Sequence, residues 1–140
     1  MPRLLSIDYG KKRTGIAVSD PLQIIANGLT TVETSKLLDF LSDYLQKEAV
    51  STIIVGLPKQ MSGELSENMK RIEPFVNRLR KLYPQISVEY FDERFSSKIA
   101  QQAMIDGGLK KKDRQNKALL DEISAIIILQ GYMESRNFRF

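Results

Sequence analysis

Apolar residues along this chain recur with two different periods, and the switches between them predict an order of elements. Leu4, Leu5 and Ile7 form a short apolar run that predicts a buried strand over residues 4–7, ended by the turn Asp8-Tyr9-Gly10. Residues 15–19 predict a second strand after the basic turn Lys11-Lys12-Arg13, so the first two strands make a hairpin. Asp20-Pro21 breaks the chain, and residues 24–32 predict a third strand interrupted at Asn27-Gly28. Thr34 or Ser35 stands where it can cap a helix over 36–48, in which Leu37, Leu38, Leu41, Tyr44 and Leu45 share helical spacing. The β-branched run at 51–55 predicts a central strand buried on both faces, stopped by Gly56-Leu57-Pro58. A second helix over 64–82 carries Leu65, Met69, Ile72, Val76 and Leu79 on one face, with a kink or break expected at Pro74. Residues 86–91 predict a fifth strand with Asp92-Glu93-Arg94 at its end. Ser96 or Ser97 then caps a short helix that stops at Gly107-Gly108. A polar, basic loop follows over 109–116, and a last helix runs from 117 to about 133.

Three strands, then strand–helix alternation, imply an α/β fold with a five-stranded mixed sheet and helices on both faces. The first strand is expected at its centre. The 140 residues suit a single domain, 1–140, of about 100–150 residues, and no repeat or low-complexity tract divides them. Composition then removes whole classes of chemistry. The chain has no cysteine and no histidine, which excludes disulfides, thiolate zinc sites, cysteine nucleophiles, imidazole ligands and Ser-His triads. Acid–base or metal chemistry is left to carboxylates, lysines, tyrosines and bound water, and carboxylate oxygens suit hard cations such as Mg²⁺ or Mn²⁺. The net charge of +4 favours a polyanionic partner. The apolar run Ile126-Ile127-Ile128-Leu129 is too short to cross a bilayer, and the first residues lack the pattern of a secretory signal, so the expected location is the cytoplasm, with no membrane partner.

Three acids stand where an acid is awkward for folding. Asp8 directly follows the apolar first strand; Glu93, beside Asp92, ends the fifth; Asp121 lies among Leu119, Leu120, Ile123 and Ala125 in the last helix. Each has an ordinary explanation: a hairpin turn for Asp8, a helix-dipole acid for Glu93, and a pair with Lys117 for Asp121. Together they converge if the tip of the central strand meets the end of the fifth strand and the last helix. Gathered acids repel one another unless cations neutralise them. Two metal ions about 4 Å apart would do so and clamp the attacking and leaving oxygens of a phosphodiester. Basic residues surround these positions. Arg13 in the glycine-bounded turn can grip phosphate oxygens, Lys59 or Ser62 can assist an anion at the second helix's N-terminus, and Lys110, Lys111, Lys112, Arg114 and Lys117 precede Asp121. Each of these is also accounted for as a solvated turn, connection or surface run. With only 8% aromatic residues, recognition by shape and backbone is expected rather than base stacking.

The segments Asp8-Tyr-Gly-Lys-Lys-Arg-Thr-Gly-Ile-Ala-Val-Ser-Asp20, Gly56-Leu-Pro, Asp92-Glu-Arg-Phe-Ser-Ser97, and Lys117-Ala-Leu-Leu-Asp121 with Ala125 to Gln130 resemble the YqgF family. The resemblance covers nearly the whole chain, with its four motifs in order. It implies the ribonuclease H-like fold of RuvC-type resolvases. The activity it implies is that of a metal-dependent endonuclease, described for the family both as Holliday junction resolution and as maturation of the 5′ end of precursor 16S ribosomal RNA. It further implies that Asp8, Glu93 and Asp121 are the catalytic, metal-binding acids, with Arg13, Lys59, Arg94 and Lys117 as backbone contacts. One departure is visible: ribonuclease H-type enzymes usually carry an acid at the end of the fourth strand, and here Val55-Gly56-Leu57-Pro58 has none. The middle acid then falls to Asp92 or Glu93. The expected partner is precursor ribosomal RNA or branched DNA, bound by a monomer or a homodimer. Two other readings compete: a non-catalytic nucleic-acid-binding module, and an actin-like nucleotide site, which needs a second lobe that this length does not supply.

Overall fold

Side-chain alternation along the strands divides the core into two, one on each side of a single sheet. A computed structural model describes residues 2–57, 64–92 and 117–137. In chain order the elements are β1 Arg3–Asp8, β2 Arg13–Ser19, β3 Ala26–Glu33, a 3₁₀ turn Thr34–Lys36, α1 Leu37–Lys47, β4 Val50–Leu57, α2 Glu64–Leu82, β5 Ser87–Asp92 and α3 Lys117–Asn137. The strands lie in the order β3-β2-β1-β4-β5, so β1 is central as expected. It is antiparallel to β2 and parallel to β4, which is parallel to β5.

Leu5 and Ile7 of β1, Ile16 and Val18 of β2, Ile53 and Val55 of β4 and Val88 of β5 face one way. They pack on Leu37 and Leu41 of α1 and on Ile72, Phe75, Val76 and Leu79 of α2. Leu4, Ala17 and Ile54 face the other way, against Ala125, Ile128, Leu129 and Met133 of α3. A period of two along the strands and of 3.6 along the helices makes both cores from one stretch of chain. The mixed sheet with helices on both faces is thus the architecture expected.

Three expectations need correction. The third strand starts at Ala26 and not at residue 24, because the Asp20 carboxylate takes the backbone N–H groups of Ile24 and Ile25 at 2.7 and 2.8 Å and holds them out of the ladder. Both side chains are left exposed, at 67% and 58%. Neither Thr34 nor Ser35 caps α1 by its side chain; the Thr34 hydroxyl instead bonds the carbonyl of Gly10 at 2.7 Å and the hydroxyl of Thr14 at 2.9 Å. Of the kink or break expected at Pro74, the break is absent: helix α2 continues through it. A proline inside a helix costs about 3 kcal/mol, but buried Ile72, Phe75 and Val76 on either side of it hold the helix to the sheet. The predicted short helix ending at Gly107-Gly108 and the basic loop over 109–116 lie outside the described residues.

Candidate active site

The three parallel strands β1, β4 and β5 end at the same edge of the sheet, at Asp8, Leu57 and Asp92. In open α/β sheets this carboxyl edge is where ligands bind. Asp8 is half-buried there. It follows Leu4 and Ser6 on the α3 side of β1, while Ile7 and Tyr9 turn toward α2, with the Tyr9 ring 5.1 Å from that of Phe75. Across the ladder, Asp8 pairs with Gly15 of β2. On its other side, the pair Ile7–Val55 is followed in β4 by Gly56. The acid therefore stands in the ladder between two residues that have no side chain.

The turn after Asp8 is built to hold one shape. A side chain on Gly10 would collide with the carbonyl oxygen of Arg13, so only glycine fits. Thr34 ties the turn to the end of β3 through its hydroxyl to Gly10 and through its N–H to the carbonyl of Lys12 at 2.9 Å. Thr14, fully buried, joins the same cluster. The result presents Lys11, Lys12 and Arg13, all exposed, directly beyond Asp8.

Helix α3 brings the other end of the chain across this strand. At its N-terminal half the Glu122 side chain lies against Gly28 of β3, where a Cβ would collide with its carboxylate. Further along, the Tyr132 hydroxyl bonds Glu89 of β5 at 2.9 Å, and its ring meets Phe91 edge-on at 6.5 Å. The helix thus crosses from the β3 edge of the sheet toward the β5 edge. Where it passes over β1, the buried Ser6 hydroxyl donates to the carbonyl of Ala125 at 2.6 Å. Position 121 is one helical turn, about 6 Å, before Ala125. Asp8 is two residues, about 7 Å, beyond Ser6.

Of the residues predicted for the site, Asp8, Arg13 and the helix positions of Lys117 and Asp121 fall in the described parts, at this edge of the sheet or on the helix that crosses it. Lys59, Glu93 and Arg94 lie outside the described residues. Among the described residues no group of three or more acidic side chains is gathered that could hold a metal. Asp20, at the opposite end of the hairpin, holds its carboxyl below the usual aspartate range. The N–H of Ile25 is the largest cause, opposed by desolvation and helped by the N–H groups of Ile24 and Leu22. Sequence reasoning missed Ser6 and Glu122. For Ser6 a signal exists, a lone hydroxyl in the run Leu4-Leu5-Ser6-Ile7; for the contact of Glu122 with Gly28 nothing local marks it.

A family model described as "RuvX: Holliday junction resolvase" matches residues 2–135. A curated relative from Phocaeicola vulgatus, named "Putative pre-16S rRNA nuclease", is 68% identical and covers 99% of each chain. A relative of the same name from Bacteroides thetaiotaomicron is 65% identical over 99% of this chain and 100% of its own. Among solved structures, T. thermophilus RuvC in complex with Holliday junction substrate superposes with a TM-score of 0.60. It is 17% identical, and the match covers 99% of this chain and 97% of that one.

Proposed function

The chain belongs to the RuvX family and has the ribonuclease H-like fold of RuvC-type resolvases, and on that premise we propose that it is a metal-dependent endonuclease that processes precursor 16S ribosomal RNA in the cytoplasm. That it is a nuclease, a hydrolase of phosphodiester bonds, follows from its family and its relatives. The ribosomal substrate is supported by the names of the relatives. The observation that carries the metal-dependent reading is Asp8, an acid half-buried at the carboxyl end of the central strand, beside Gly15 in the ladder and on the sheet that the helix carrying position 121 crosses.

The donor set fits a hard divalent cation, since a chain without histidine or cysteine offers carboxylate oxygens, and the Ser6–Ala125 bond joins the strand that ends at Asp8 to the helix that carries position 121. Asp8, Asp121 and Glu93 would hold it. The chemistry supplied by bound Mg²⁺ or Mn²⁺ is neutralisation and polarisation of the scissile phosphate and its attacking water. The chain's own part is to hold the acids at fixed separation and to exclude alternative geometries. It also grips the adjoining backbone phosphates with Arg13, assisted by Lys59, Arg94 and Lys117. No helix among the described residues is long and apolar enough to cross a membrane.

The test is cleavage of labelled precursor 16S ribosomal RNA and of four-way DNA junctions, each with Mg²⁺ or Mn²⁺, by wild type and by Asp8→Asn. Cutting of the ribosomal precursor that is lost in Asp8→Asn is the expected outcome. Cutting confined to the junctions would instead favour resolution, a reading that the likeness to RuvC keeps in play. Binding of both without cutting of either would refute the endonuclease.

A further inference from the structure

We infer that Ser6 is a positioning residue of this nuclease, whose hydroxyl fixes the point along α3 at which the helix crosses β1 and thereby the separation of Asp8 from Asp121. The inference rests on the reading that these two acids share one metal site.

Ser6 is fully buried in the middle of the central strand. Its ladder neighbours on the two sides are Ala17 and Ile54, and above it lie Ala125, Ile128 and Leu129. These neighbours are apolar, and apolar contacts are non-directional, so they select weakly between neighbouring positions of a helix. A slide of one residue moves α3 by about 1.5 Å and turns it by about 100°, and a different set of aliphatic side chains can then fill the same space. The hydroxyl removes that freedom. It donates to the carbonyl of Ala125 at 2.6 Å, and a buried hydroxyl without a partner is costly. Any other register of α3 strands it. Ala17 and Ala125, both small and fully buried, let the helix backbone come close enough for the bond.

The bond also lies between the two acids in the chain. Asp8 follows Ser6 by two residues on the same side of the strand, and Asp121 precedes Ala125 by one turn of helix. The other contacts that locate α3, Glu122 against Gly28 and Tyr132 against Glu89, involve long side chains that follow a small shift. A short hydroxyl bonded to a main-chain carbonyl does not.

The experiment measures Mn²⁺ affinity of the full-length protein by electron paramagnetic resonance, together with kcat and KM for cleavage, in wild type, Ser6→Ala, Asp8→Asn and Ile128→Val. Ile128→Val trims the same apolar surface and leaves the hydrogen bond intact, so it reports what loss of packing does by itself. Ser6→Ala is expected to weaken Mn²⁺ binding and to lower kcat by about tenfold, the lower end for loss of a supporting hydrogen bond. KM for nucleic acid should be unchanged and Ile128→Val should match wild type. If Ser6→Ala does not fold, Ser6→Cys, which keeps a side chain with only a weak donor, is expected to show the same split. Unchanged Mn²⁺ affinity and kcat in a folded Ser6 variant, or an equal loss in Ile128→Val, overturns the positioning role alone. Wild type that binds no Mn²⁺, or binding that survives Asp8→Asn, overturns the shared metal site and the positioning role with it.

Discussion

Ile53 and Ile54 are adjacent in β4, have the same side chain and are both fully buried, yet they belong to different cores. Ile53 packs with α1 and α2, and Ile54 packs with α3. Replacement of either by alanine removes three buried carbons, which at about 0.8 kcal/mol each is a loss of roughly 2.4 kcal/mol from transfer alone. The cavity left behind brings the expected cost to about 2–5 kcal/mol, a large share of the roughly 5–15 kcal/mol typical of a domain. Urea unfolding followed by circular dichroism should show this as a lower midpoint at unchanged slope in both variants. The local response should differ. Among the described residues the α3 core has fewer buried side chains than the other, so Ile54→Ala should speed amide exchange along α3 through local opening, while Ile53→Ala should leave α3 near its wild-type exchange relative to α1 and α2. Equal acceleration of α3 in the two variants, or a loss below about 1 kcal/mol in either, would refute the two-sided division of the core.

Gly10→Ala drives a Cβ into the carbonyl of Arg13; the turn must open, at about 1–3 kcal/mol for a forced backbone shift. Urea unfolding reads this cost, and filter binding should show weaker affinity for nucleic acid because Lys11, Lys12 and Arg13 are displaced. Asp20 titrates below its ordinary value because its charged form accepts backbone N–H groups, that of Ile25 foremost. A depressed folded pKa gives stability that is present above the unfolded pKa and lost as pH falls through the folded one. Amide exchange at Leu22, Ile24 and Ile25, corrected for its intrinsic pH dependence, should therefore rise in acid, and Asp20→Asn should show that rise already at neutral pH. Exchange that is flat with pH and unaffected by Asp20→Asn would show that the carboxylate does not hold the loop.

The elements were legible because burial left a strong period. The run Ile53-Ile54-Val55 is apolar on both faces because both cores need it, and the central place of β1 follows from the hairpin with β2 and the parallel partner that comes after α1. Asp8 was legible for the same reason, since a charge directly after Leu4-Leu5-Ser6-Ile7 has no use in packing. Hydrophobicity misled where a side chain redirected the backbone: Ile24 and Ile25 fit a strand pattern, but the Asp20 carboxylate spends their N–H groups in a loop. Thr34 was read as a helix cap because its partner, the Gly10 carbonyl 24 residues away, is invisible locally. A kink or break is expected at Pro74 because its lost hydrogen bond is local, whereas the burial that keeps the helix continuous comes from the sheet. The contacts that locate α3 were illegible for a related cause, since Glu122 against Gly28 and Ser6 against Ala125 pair residues that share no stretch of sequence.

The Ser6–Ala125 bond joins positions 119 residues apart, and this has a consequence for when the molecule becomes active. Chains emerge from the ribosome N-terminus first, and their earlier parts begin to fold before the rest is made. The β1–β2–β3 hairpins, α1 and β4 can assemble on local and middle-range contacts while Leu4, Ala17 and Ile54 still await their cover. With Asp8 near one end of the chain and Asp121 near the other, the growing polypeptide lacks the third of its three proposed acids until α3 is made. On the proposed site, a nuclease built this way would stay inactive throughout its own translation, and the docking of one helix would both close its second core and complete its set of acids.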